Sequence, residues 1–212
     1  MGRRRNVAEE KDFNIEKGSN GNVSSVAIHE IGHALVGLVL GICEFEKITI
    51  LGRGSSLGYV EYTAQSGSMR LKSDYLRRIM ISMGGRAAEE LIYGKDDVST
   101  GATSDIKHAT NYATDMVTEY GFSDEIGFRS IEESGHNYLG DDHGNEITGE
   151  LKDKIDAEIS KILNECMKNT LDILSERKNL LIDMAEKLFN EKEVKSEDLK
   201  KMLDEWNINA NN

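Results

Sequence analysis

Apolar residues recur along this chain at helical spacing for most of its length, and one stretch departs from that spacing. "SSVAIHEIGHALVGLVLGIC", Ser24 to Cys43, is apolar on nearly every side and predicts a buried helix. Asn22, Ser24 or Ser25 can cap its start, and Gly41 ends it. "EKITILGRGSSLGYVEYT" reads instead as two short strands around a Gly/Ser turn, the only convincing β signal in the sequence. "SDYLRRIMISMGGRAAEELIYG" returns to the helical period, with Leu76, Met80, Met83, Ala87 and Leu91 on one face and Gly94 at the end. "TSDIKHATNYATDMVTEYG" predicts a further helix, opening after Thr103 or Ser104 and closing at Gly121. From about Thr148 to Trp206 the pattern is helical throughout, and Ile147, Leu151, Ile155, Ile159, Ile162, Cys166 and Leu174 trace a stripe.

This pattern divides the chain into a polar lead-in over residues 1–22, expected to be largely disordered, and a core over 23–135. A Gly-rich acidic loop over 136–147, a C-terminal helical section over 148–206 and a tail over 207–212 follow. The fold class expected is mainly α with a small antiparallel β-sheet. A chain of 212 residues that is 38% hydrophobic can bury one sizeable core, or one core with a helical appendage.

Charge and cysteine content narrow the function. A formal net charge of -12 offers phosphate backbones little to bind, so nucleic acid and anionic membrane surfaces are poor partners. Cys43 and Cys166 lie far apart with no C-x-x-C spacing, which suggests neither a disulfide framework nor a cysteine zinc site and favours a reducing cytosol. The first helix approaches the length of a membrane span, but His29, Glu30 and His33 interrupt it and the unbroken apolar part is too short to cross. "MGRRRN" resembles the basic start of a signal peptide, yet polar "VAEEKDFNIEKGSNGN" stands where an apolar segment is required. The expected location is cytoplasmic, or the cytosolic face of a membrane if the chain comes from an anchored parent.

Three polar groups inside an apolar helix cost stability unless something binds them. His29-Glu30-Ile31-Gly32-His33 is an H-E-x-x-H. At 3.6 residues per turn, positions i and i+4 sit about 40° apart around a helix and about 6 Å along it, so both imidazoles can face one ion. Glu30 follows the first histidine, where its carboxylate can reach a water acidified by zinc and act as general base. A lone histidine on an apolar face is usually a hydrogen-bonded core residue; two at ligand spacing with a glutamate between them favour zinc. A longer pattern with Gly at 36 and His at 39 is excluded, because both positions are valine.

A third ligand is still required, and Glu89 or Glu90 in "RAAEEL" and Asp105 or His108 in "TSDIKHAT" are the candidates. On a helix, Asp105 shares its face with Ala109, Tyr112 and Met116, whereas His108 shares one with Asn111 and Asp115. Asp105 is therefore expected to point inward and His108 outward, although a first-turn acid can also simply complement the helix dipole. Glu90, three residues past Ala87, also leans inward, as a ligand or as support for one.

"HEIGHALVG", "ITILGRGSSLGYVEYT", "MGGRAAEELIYG" and "VSTGATSDIKHATNYATDMVTEYGFSDEIG", in that order, resemble the peptidase domain of the FtsH family of ATP-dependent zinc metalloproteases. The resemblance spans about residues 23–130. It implies a helical zinc-peptidase domain with one zinc per chain, held by His29, His33 and Asp105, with Glu30 catalytic. It also supports reading "LGYVEYT" as an edge strand whose Gly58, Tyr59 and Val60 pair with an extended substrate through main-chain hydrogen bonds, the alternative being a covered hairpin. Unfolded polypeptides are the implied substrates, and a hexameric ring and an ATPase domain in a full-length protein the implied partners. Two departures stand out. Gly52 occupies a position where the family usually carries proline, and the sequence contains neither a G-x-x-x-x-G-K-[ST] phosphate loop nor a transmembrane helix. Unfolding driven by ATP is therefore not expected of this chain alone, whether it is part of a longer protein or a stand-alone, ATP-independent peptidase. A catalytically silent helical binding module is the alternative from another class, and its structural metal would be closed by four protein ligands.

Overall fold

The computed structural model describes residues 13–15, 23–42, 45–51, 59–62, 71–131 and 149–210. Among them are α1 (Val23–Val39), β1 (Phe45–Thr49), β2 (Tyr59–Tyr62), α2 (Lys72–Tyr93), α3 (Thr103–Thr118), α4 (Gly149–Glu176), α5 (Lys178–Glu191), β3 (Glu193–Lys195) and α6 (Ser196–Ala210). The fold is mainly α with one small antiparallel sheet, as the periodicity predicts.

α1 ends where expected. Gly41 adopts φ +71°, its N–H reaches the carbonyl of Leu38, and Ile42 N–H reaches that of Gly37, which is the paired closure that a left-handed glycine allows. α2 opens with the Asp74 carboxylate accepting Leu71 N–H at 2.9 Å and closes at Gly94, φ +88°. α2 departs from the single apolar face expected of it. Tyr75, Ile79, Ala87, Ala88 and Glu89 are its buried residues besides two glycines, while Leu76, Met80, Met83 and Leu91 are only partly buried. The reason is its place in the molecule: α2 packs against α1, α3 and α4 at once, so it has several inward faces.

Two apolar clusters share α2 and α4. One joins Ile28, Ile31 and Leu35 of α1 to Ile48 of β1, Leu181 and Leu188 of α5 and Leu199 of α6. The other joins Ile79 of α2 to Ala109, Ala113 and Met116 of α3 and to Ile155, Ile162 and Cys166 of α4. The predicted stripe on α4 is the face that enters these clusters; Ile147 lies outside the described residues.

The C-terminal section is not helical throughout. α5 closes on Lys192 at φ +63°, and the chain then forms β3, which pairs antiparallel with β1 so that Val194 faces Ile48. Three residues are too few to carry an alternating pattern, and this strand exists because the edge of β1 is there to receive it. The sheet order is β2-β1-β3, with Val60 opposite Ile48 and Tyr59 opposite Thr49 on the other side. Among the described strands, β2 is therefore an edge.

Candidate active site

α1 and α2 approach each other backbone to backbone. A Cβ built on Gly32 would lie 2.3 Å from the Gly84 carbonyl oxygen, and one on Gly84 would lie 2.6 Å from the Gly32 oxygen. Only glycine at both positions permits this contact. Gly85, next along, leaves room for the His29 ring, whose atoms would be 2.5 Å from a Cβ there.

The close approach determines how both histidines are held. His29 Nδ1 lies 2.8 Å from Glu89 Oε1, and His33 Nδ1 lies 2.7 Å from the Ile81 carbonyl oxygen, both on α2. A carboxylate and a carbonyl only accept, so each Nδ1 is assigned a hydrogen, and Nε2 is the nitrogen each ring turns toward an ion. The Gly85 N–H approaches His33 Nδ1 at 3.4 Å, too long to compete with the Ile81 contact.

The two Nε2 atoms converge 3.1 Å apart, the rings being edge to face with centroids 4.8 Å apart. Asp105, in the first turn of α3, completes the triangle. Its Oδ2 lies 3.3 Å from His29 Nε2 and 3.6 Å from His33 Nε2. Zinc bonds of about 2.0–2.2 Å in a tetrahedron separate neighbouring ligand atoms by roughly 3.3–3.6 Å, so this donor set fits that ion. Among the described residues, His29, His33 and Asp105 are the group that could hold a metal.

Charge reinforces the arrangement. Burial alone pushes the His29 imidazole down, but hydrogen bonds to Asp105 and Glu89 and the charge of Glu30 outweigh it and bring its pKa up to about 10. Burial likewise pushes Asp105 up, yet its bonds to His29 and His33 hold it well below the usual carboxylate range. A cation is thus favoured between them, and a metal ion binding there displaces a proton. Glu30, half-buried on the same helix, is raised by burial and by the charge of Asp105, against the lowering pull of the two histidines. It is therefore a stronger base than an exposed glutamate.

Glu90 does not join this group and is corrected here. Its carboxylate lies 3.5 Å from Lys95 Nζ, and the neighbouring Glu89, 2% exposed, takes the supporting place. One residue turns a helix by 100°, and Ala88 and Glu89, rather than Glu90, face α1. His108 points away from the core, as expected, but it lines the same cleft as Asp105. That cavity, about 320 Å³, is bounded by His33, Ile42, Phe45 and Ile81 and by the polar side chains of Arg78, His108 and Tyr112. Gly58 lies outside the described residues, and Tyr59 and Val60 are placed by backbone pairing alone. Sequence reasoning had no means of finding the Gly32 and Gly84 contact, because glycine carries no hydropathy signal.

The chain matches the family model described as peptidase family M41 over residues 18–202. It is similar to the ATP-dependent zinc metalloprotease FtsH of Acholeplasma laidlawii (strain PG-8A), 40% identical over 174 residues, which are 77% of this chain and 26% of that one. It is also 36% identical to FtsH of Bacillus subtilis (strain 168) over 193 residues, 88% of this chain and 30% of that protein. To the ATP-dependent zinc metalloprotease YME1L of Drosophila melanogaster it is 36% identical over 181 residues, covering 84% and 24%. The chain thus spans about a quarter to a third of the length of these curated relatives. No helix among the described residues is long and apolar enough to cross a membrane. With most of its length inside the family match, the chain belongs to peptidase family M41.

Proposed function

We propose that this chain is a zinc-dependent endopeptidase that cleaves unfolded or flexible polypeptides. The observation that carries this reading is the convergence of His29 Nε2, His33 Nε2 and Asp105 Oδ2 at 3.1–3.6 Å, with both Nδ1 hydrogens already engaged elsewhere. These three residues would hold zinc and leave a fourth position open. When bound, zinc supplies Lewis acidity to the attacking water and to the peptide carbonyl.

The protein's own groups carry the remaining steps. Glu30 accepts the proton that water loses as its oxygen attacks the carbonyl carbon. It then delivers that proton to the leaving nitrogen, so the C–N bond breaks to a carboxylic acid and an amine, and the acid's remaining proton passes to the amine to leave a carboxylate and an ammonium. The outer side of β2 offers main-chain donors and acceptors to an extended substrate, and the cavity beside His33 and Asp105 accommodates a side chain next to the scissile bond. Strand pairing of this kind requires an extended chain, so a stably folded substrate is refused. ATP-driven unfolding, assembly into a hexamer and a cytosolic location belong to this proposal as properties of a longer protein like the relatives.

The test is Glu30→Gln in the full chain. It is expected to retain about one zinc by elemental analysis while losing chelator-sensitive cleavage of an unfolded protein, since an amide cannot act as the base. Retained cleavage would remove Glu30 from its role, and a chain free of metal after zinc supplementation would overturn the reading.

A further inference from the structure

The connection between α2 and α3 contains a serine that the mechanism does not use. Ser99 meets the Glu89 carboxylate twice: its backbone N–H donates to Oε2 at 2.6 Å and its hydroxyl lies 2.9 Å from Oε1. On its other side the hydroxyl oxygen accepts the Gly101 N–H at 3.0 Å. A hydroxyl has one hydrogen, and because the Gly101 amide occupies a lone pair of the oxygen, that hydrogen is directed to Glu89. Glu89 Oε1 also receives the Nδ1–H of His29 at 2.8 Å. Both oxygens of a buried carboxylate thus have donors, and removing one leaves a charged group short of a partner where that loss is most expensive.

We propose that Ser99 is a positioning residue for the metal centre: through Glu89 it fixes the tautomer and ring orientation of His29, and so ties the loop over 94–102 to metal affinity. The inference rests on the reading that His29 binds the metal. The ordering of effects follows from the chain of contacts. Without the Ser99 hydroxyl, Glu89 keeps one Ser99 bond, rotates more freely, and holds His29 less firmly; supporting partners of this kind typically alter metal affinity by about 10–100-fold.

The experiment is zinc competition against a chromophoric chelator on the full chain, with thermal unfolding of the metal-free protein alongside. Ser99→Ala is expected to weaken zinc binding about tenfold, and Ser99→Thr, which keeps the hydroxyl, to restore it. A purely structural serine would lower the unfolding temperature and leave the affinity of the folded protein unchanged. Gly101→Ala is a second variant: it removes no donor or acceptor, but its Cβ would press on the Ser99 oxygen at 3.0 Å and displace it. It is expected to weaken zinc binding in the same direction but less, and it keeps the proposal testable if Ser99→Ala fails to fold. Wild type holding zinc while both variants hold it equally tightly would overturn this inference alone. Wild type holding no zinc would overturn the metal reading and this inference with it.

Discussion

The two halves of this molecule pack by opposite means. α1 and α2 meet through Gly32 and Gly84 with almost no side chain between them, whereas α5 and α6 meet the rest of the core through Leu181, Met184, Leu188, Leu199 and Leu203. Ordinary side chains hold helix axes about 8–10 Å apart, and bulky contacts of that kind suffice for stability. A site needs more than stability. The histidines of α1 must reach acceptors on α2 with short, fixed bonds, and only the glycine contact brings the Ile81 carbonyl and the Glu89 carboxylate within 2.7 and 2.8 Å of the two Nδ1 atoms. The α1–α2 contact thus gives up side-chain volume for positional accuracy, while apolar side chains elsewhere, Ile28, Ile31 and Leu35 of α1 included, supply the burial.

The largest effect is expected from breaking the first kind of contact. Gly32→Ala would put a methyl 2.3 Å from a backbone oxygen and 2.6 Å from Ala88 Cβ, neither of which can swing aside. The helices must separate, with a loss of about 3 kcal/mol or more, and zinc binding should disappear with it. Leu188→Ala, at a fully buried position of α5, should lose about 2–5 kcal/mol through its cavity, yet the protein that remains folded should hold zinc as wild type does. Chemical denaturation together with zinc content per folded chain checks both. Equal loss of zinc per folded chain in the two variants would erase the distinction between the halves.

Gly85→Ala sharpens the same contrast at intermediate size. Here the new methyl meets the His29 ring at 2.5 Å rather than backbone, so the ring can turn away and the fold can survive. Stability should fall by about 1 kcal/mol, while a displaced ligand should weaken zinc binding on the order of a hundredfold. Chelator competition and thermal unfolding read the two quantities separately. Unaltered affinity would show that His29 does not depend on the space that Gly85 leaves.

What the sequence made legible follows from these packing modes. His29 and His33 are readable because i, i+4 spacing on an apolar helix is a strong pattern, and Asp105 because α3 has one clear inward face carrying Ala109 and Met116. The α4 stripe is readable for the same reason. Glu89 was not separable from Glu90, since α2 is enclosed by three helices and a rule based on one face cannot rank adjacent residues. Gly32, Gly84 and Gly85 carry no periodic signal, and β3 is too short to show one. Ser99 acts through contacts 10 residues away along the chain, which no local pattern encodes.

The smallest effect tests the C-terminal half at the turn that feeds β3. Lys192 takes φ +63°, a conformation that costs a residue with a Cβ roughly 1–2 kcal/mol relative to the right-handed one. Its carbonyl accepts the Ile50 N–H at 3.0 Å and the Thr49 hydroxyl at 3.2 Å, and two further contacts hold it there. Its N–H bonds the Leu188 carbonyl at 2.8 Å, and its ammonium lies 4.2 Å from the centre of the Phe189 ring, a contact worth about 0.5–1 kcal/mol. Lys192→Gly removes both the strain and the ring contact, and the more flexible unfolded chain takes back part of the gain, so the net change should be under about 1 kcal/mol. Lys192→Met keeps the strain and loses the charge, and it should lower stability by about 0.5 kcal/mol. Thermal unfolding should therefore place Lys192→Gly above Lys192→Met by about 2–4 °C, with zinc content the same in both. The reverse order would mean that the strain at Lys192 costs less than the side-chain packing and unfolded-chain rigidity that glycine gives up. A change in zinc content would mean that the sheet end of the molecule is coupled to the site after all.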